Sequence, residues 1–253
     1  MPKTGSFGIL CLLVISVLFT STCKAQTKEN LGPYYNWFDT AIGIENQEIH
    51  YGAVYSEKHR AKSKKSKFFP SPYFTKGDVV IDNLPYYSLE LKYNVYEDEL
   101  LMQVANNLGG KILQLHKDKI SSFTIAGHWF TKIDGVEAQK THISSGFYEV
   151  ILEKPSFTLL KKHRRLLTEQ LGADLIFYEF EELDSEFIVR YTDSYHRLKK
   201  MQDVKVLFPQ NVPELNDYLK NLPSNLSFED RLKSVFSFMD TLLNETKDKT
   251  MNK

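Results

Sequence analysis

The sequence predicts a mainly β fold of the α+β type. It would be an antiparallel meander sheet curled into a roll or open barrel, carrying one or two C-terminal helices. Three observations predict it. Short apolar runs, several of them alternating, recur between Lys76 and Leu198 with turn-forming residues between them. The gaps are too short for the crossover helices of a parallel sheet. Only beyond Val206 does the apolar spacing lengthen to three and four residues.

Along the chain, Lys3 precedes an apolar run over residues 9–19, and a small polar stretch ends at Ala25. This is the grammar of a signal peptide over residues 1–25, with cleavage before Gln26. The run is about half of the ~20 residues that span a bilayer, so no transmembrane span is expected in the mature chain. A lipidated Cys23 is the alternative, but Thr20 and Thr22 stand where a lipobox wants Leu and a small residue. Cys11 and Cys23 both lie in this segment, so residues 26–253 carry no thiol for a disulfide, metal site or nucleophile. They are expected to form a single β-rich domain, held by its apolar core.

Residues 27–43 read as irregular, with aromatics at Tyr34, Tyr35, Trp37 and Phe38, and residues 48–55 read as extended. Residues 57–67 hold six basic side chains, Lys58, Arg60, Lys62, Lys64, Lys65 and Lys67, with no apolar periodicity. That composition predicts a solvated loop. Residues 88–95 place Leu89, Leu91, Tyr93 and Val95 on one face of a half-buried strand. A polar turn at Glu97 and Asp98 leads to strands near 100–104, 112–115 and 120–126. Residues 146–152 and 157–162 flank Lys154-Pro155-Ser156 as a further pair. Residues 175–180 read as a central strand, and 187–191 with 195–198 as a hairpin.

Asn211 with Pro213 in the first turn opens a helix over about 212–222. Ser227 and Asp230 resemble a capping box for a second helix, about 227–244. Its Leu232, Val235, Phe236, Met239, Leu242 and Leu243 form one apolar stripe, the mark of a helix docked on a core.

The chain has 253 residues, 42% hydrophobic and 25% charged, with 32 basic and 32 acidic side chains. This excludes disordered, collagen-like and disulfide-scaffold classes, and no net charge draws the chain to nucleic acid. A Gly-x-Ser-x-Gly elbow, a phosphate-binding loop, an EF-hand loop and His-Glu-x-x-His are all absent from the sequence. No cofactor or metal is therefore expected, and no catalytic residue is assigned. The histidines are not at ligand spacing, although adjacent hairpins could gather His116, His128 and His142. Glu179, Glu181 and Glu182 read as a solvated strand end, and close together on one strand they are poorly arranged to flank a sugar from two sides. A second basic run, Lys161, Lys162, Arg164 and Arg165, surrounds His163.

The segments GIENQEIHYGAVY (43–55), GDVVIDNLPYYSLELKYNVYEDELLM (77–102), KISSFTIAGHWF (119–130), GFYEVILE (146–153) and VLFPQNVPELNDYLK (206–220) follow one another in this order. Together they resemble an uncharacterised family of exported proteins from Bacteroidota-type bacteria. The resemblance implies a cell-envelope location, periplasm included, and a β-rich fold, and it carries no site residues. It also gives meaning to Asp39-Thr40-Ala41 and Asp240-Thr241-Leu242, which resemble the O-glycosylation motif of such bacteria, with Thr40 the better candidate.

These features lead to an expected function: a non-catalytic exported cell-envelope protein with a binding or accessory role. Its partner would be an anionic envelope polymer or another envelope protein, not nucleic acid. Two alternatives stand beside it. One is an envelope hydrolase or lyase whose site is not visible in sequence. The other is an electrostatic binder of anionic surface polymer through Lys58, Arg60, Lys62, Lys64, Lys65 and Lys67.

Overall fold

The computed structural model describes residues 52–59, 61, 65–104, 110–171 and 176–251. The signal segment, Cys23 and Thr40 lie outside the described residues. The strands are β1 (Ala53–Val54), β2 (Phe68–Phe69), β3 (Thr75–Ile81), β4 (Leu84–Asn94), β5 (Glu99–Val104), β6 (Lys111–Gln114), β7 (Ile120–Ile125), β8 (His128–Ile133), β9 (Gly146–Lys154), β10 (Phe157–Leu171), β11 (Ile176–Tyr191) and β12 (Ser194–Leu198). The helices are α1 (Gly135–Thr141), α2 (Met201–Leu207), α3 (Val212–Asn221) and α4 (Phe228–Met251).

All the strands join one sheet that does not close, in the order β1-β6-β5-β4-β3-β7-β8-β9-β10-β11-β12, with β2 added to β4. Every strand pairing is antiparallel. The order is two meanders, β3 to β6 and β7 to β12, joined where β3 meets β7. The short link from β6 to β7 requires the curl. Four strand spacings amount to ~19 Å in a flat sheet. The link contains a 3-10 turn at Lys117–Lys119, which cuts its reach to about 16 Å.

Local chemistry sets the hairpins. Asp82-Asn83, Ala126-Gly127 and Thr192-Asp193 are two-residue turns in which both residues hold positive φ, the twist that matches paired strands. In β4, Leu91 and Tyr93 are buried as their alternation predicts, and Val95 continues the buried face beyond the strand end. They join Phe123, Phe130 and Phe147 in one core rich in aromatic rings. A second core lies between β9–β12 and the C-terminal helices, where Leu232, Val235, Phe236 and Met239 are all fully buried. A third packs α1 against Tyr148, Leu160 and Ile188.

The helix starts expected at Asn211 and Ser227 are observed, and α4 runs on to Met251. Ser227 caps α4 by accepting the Asp230 N–H at 3.1 Å. Two differences follow from tertiary pairing. Residues 176–191 are one strand, not a central strand and a separate hairpin arm, because β10 pairs with them at both ends, on either side of a register shift at Asp184 and Ser185. The acidic run at Glu179–Glu182 therefore sits within a strand and not at its end.

Candidate functional site

The polar interior of the sheet is organised by one carboxylate. Glu149 on β9 is buried between two imidazoles: His128 Nδ1 lies 2.5 Å from Oε1 and His163 Nε2 lies 2.6 Å from Oε2. An ionised carboxylate only accepts, so both ring nitrogens carry the proton and donate. Burial pushes the Glu149 carboxyl upward, but the hydrogen bonds from His163 and His128 outweigh it and hold it down at about 2. Phe69 closes the group, its ring 4.3 Å from that of His163 and 5.0 Å from that of His128. His163 is buried, whereas the His128 side chain is 42% exposed. Chemically, His128 is an imidazole fixed by a buried acid with its other nitrogen available, the arrangement of an oriented acid–base group.

The sequence offered His116, His128 and His142 as a cluster, and the structure pairs His128 differently. His142 is the left-handed C-cap of α1, and its carbonyl accepts from Arg197. Among the described residues no group of three His, Cys, Asp or Glu side chains is placed to hold a metal. His163 was missed as a partner because it lies within a basic run. A register shift between Lys162 and Arg164 leaves it out of the β10–β11 pairing. Irregularities of that kind re-aim a side chain.

That basic run is a junction. Lys161 donates to Glu229 of α4 at 2.7 Å and Lys162 to Asp98 of the β4–β5 turn at 3.3 Å. Arg165 pairs with Glu182 across the hairpin at 3.3 Å. Asp98 also accepts from Lys117 at 2.7 Å and from the Tyr93 hydroxyl at 2.6 Å. Burial raises the Asp98 carboxyl, yet Lys162, Lys117 and Tyr93 together bring it below its ordinary value. Lys162 is lowered, since burial disfavours its charge more than Asp98 favours it.

Two members of the first basic run have acidic partners within the protein. Lys67 is 2% exposed and paired with Glu57 at 2.9 Å and Glu97 at 3.3 Å. Rings of Tyr55, Phe68 and Phe180 surround its ammonium. Burial opposes its charge, but the bonds to Tyr55 and Glu57 raise its pKa above the lysine range. Lys65 is half exposed but bonded to Glu179 at 3.2 Å and Glu181 at 3.3 Å. The chain here lies along β11, through a parallel bridge from Ala61 to Tyr178 and a bond from Phe180 N–H to the Lys65 carbonyl. Lys58 is exposed, and Arg60, Lys62 and Lys64 lie outside the described residues.

A groove of about 770 Å³ runs between β10–β12 and the start of α4. Phe187, Leu198 and Phe228 supply its apolar lining, with Phe187 and Phe228 edge to face at 5.5 Å. Lys161 is neutralised by Glu229, and Arg197 lies 2.7 Å from Glu186, a charge contact without hydrogen-bond geometry. Arg164 and Lys199 have no ion-pair partner among the described residues, and Asp184 is the groove's one unpaired acid. No helix among the described residues is long and apolar enough to cross a membrane. Comparison with protein-family models, curated proteins and solved structures finds no match to this chain.

Proposed function

We propose that this protein is a non-catalytic exported protein of the cell envelope, and that it acts by binding a small amphipathic anion in the groove beside α4. The observation that carries the binding role is the charge pattern of that groove. Arg164 and Lys199, with no ion-pair partner among the described residues, line it together with the apolar Phe187, Leu198 and Phe228, and Asp184 is the only acid of the lining likewise unpaired among those residues. A groove with apolar walls and a few convergent polar groups suits a ligand with one charged end. Export rests on the signal-peptide grammar of residues 1–25.

Calorimetric titration with dodecanoate tests the binding role, with dodecanol as the uncharged control. Dodecanoate should bind, and Arg164→Glu combined with Lys199→Glu should weaken it at least about tenfold. Equal affinity for acid and alcohol, or binding indifferent to the double substitution, would rule this site out. For export, the chain purified from its native source should begin at Gln26. A cytosolic chain that retains Met1 would remove that part of the reading.

A second reading, an envelope hydrolase or lyase, is favoured by one observation. His128 is half exposed and oriented by the buried Glu149. Against it, His128 is not among the residues that line the groove beside α4. A hydrolytic activity abolished by His128→Gln, with the fold intact, would favour this reading over the first.

A further inference from the structure

The β10–β11 hairpin outruns the sheet that carries it. β9 pairs with β10 only from Phe157 to Lys161, whereas β11 follows β10 to its end, where Leu171 faces Ile176. The other edge of this arm is covered near Tyr178 and Phe180 by residues 61 and 65. Beyond Lys161, no strand among the described residues pairs with the outer edge of β10. Leu166 and Leu171 are 48% and 87% exposed on this stretch. An open edge with apolar side chains is a template for another strand, and proteins that do not use such an edge blunt it with charge, proline or a cover.

From these observations we infer that the edge of β10 over residues 164–170 docks a second copy of this chain, as an antiparallel strand pair about a two-fold axis at Leu167. Symmetry and charge select this register. Two copies of one strand run antiparallel when the axis is normal to the sheet, which keeps each face continuous. Opposed residues must then share a face, so their numbers add to an even sum. Centred on Leu167, the pairing sets Arg165 against Glu169 of the second copy, twice. It also sets Leu166 against Thr168 and Leu167 against itself. A shift of the centre to Leu166 or Thr168 leaves neither Arg165 nor Glu169 opposite a residue of opposite charge. Glu169 is exposed and without an ion-pair partner among the described residues. Arg165 would lie between Glu182 of its own hairpin, at 3.3 Å, and Glu169 of the second copy. Opposite charges directly across a strand pair stabilise it and like charges oppose it.

An edge pairing of seven residues is a small interface, so the dimer is weak and concentration-dependent. Sedimentation velocity of the full chain over a concentration series should show a monomer–dimer equilibrium. Glu169→Lys sets two basic side chains against each other in both 165/169 pairs, and Arg165→Glu sets two acidic ones. Each should raise the concentration for half-dimerisation at least about tenfold, through two like-charge juxtapositions. Mixing the two variants should restore a dimer containing one copy of each. A wild-type chain that stays monomeric at its highest soluble concentration overturns the inference, as does a dimer that Glu169→Lys leaves unchanged. Glu169 is on the surface, so its substitution alone decides the matter even where Arg165→Glu does not fold.

Discussion

A Cβ at Gly146 would fall 1.9 Å from Asp98 Oδ2, and the backbone there holds φ at +119°. The absence of a side chain at the first residue of β9 is what lets the β4–β5 turn reach across the sheet. Asp98 then accepts Tyr93, Lys117 and Lys162 and lies within 3.3 Å of the Phe147 N–H.

Gly146→Ala should therefore destabilise the protein by ~3 kcal/mol or more, from backbone strain together with the clash. Urea unfolding measures this. Asp98→Gly in the same chain should recover part of the loss by opening space, so a fully additive double mutant would contradict the close approach as its cause.

Two members of one basic run should behave differently. Lys67→Met removes the ammonium that Glu57 and Glu97 share in a part-buried site and should cost about 2–4 kcal/mol. Lys58→Met removes an exposed charge and should stay within about 0.5 kcal/mol of wild type. Similar unfolding midpoints for the two variants would show that Lys67 is not an interior cation.

Glu149 gives a pH signature. Its carboxyl is held at about 2 against an ordinary value of 4.5. Because the folded value is the lower one, the stability it contributes is present above pH ~4.5 and is lost as the pH falls toward 2. The contribution is on the order of 2 kcal/mol once partial solvent screening is allowed for. The stability gap between wild type and Glu149→Gln should be largest near neutral pH and narrow across that acidic window. A gap independent of pH would contradict an ionised, doubly bonded carboxylate.

Phe236 tests the docking of α4. It is fully buried, with its ring 5.0 Å from Phe157 and 6.1 Å from Phe208. Phe236→Ala should cost about 3–5 kcal/mol. Thr241→Ala, on the exposed side of the same helix, should be nearly neutral because it removes only a bond to the Ser237 carbonyl. A small effect at Phe236 would show that the helix is not part of the core.

Much of the fold was legible because strand and helix signals are local. The alternation through Leu89, Leu91, Tyr93 and Val95, and the stripe from Leu232 to Leu243, each depend on residues a few positions apart. The length of β11 was not legible, since Glu179, Glu181 and Glu182 read as a polar end. Their strand is held by β10, and Lys65, 114 residues away from Glu179, bonds to that acid and to Glu181. Of the candidate site, His128 was singled out, but its partners were not. Nothing in GFYEVILE sets Glu149 apart from other strand acids, and His163 sits within a run of lysines and arginines.

Residue order alone settled the class of fold and the start of the last two helices, because steric limits and apolar spacing act within a few residues. Which charge meets which was decided only when distant strands came together. Lys161, Lys162 and His163 are consecutive, yet they bond to α4, the β4–β5 turn and β9 in that order. The physical reason is distance: Coulomb and hydrogen-bond energies depend on separation in space, and strand register alone sets that separation.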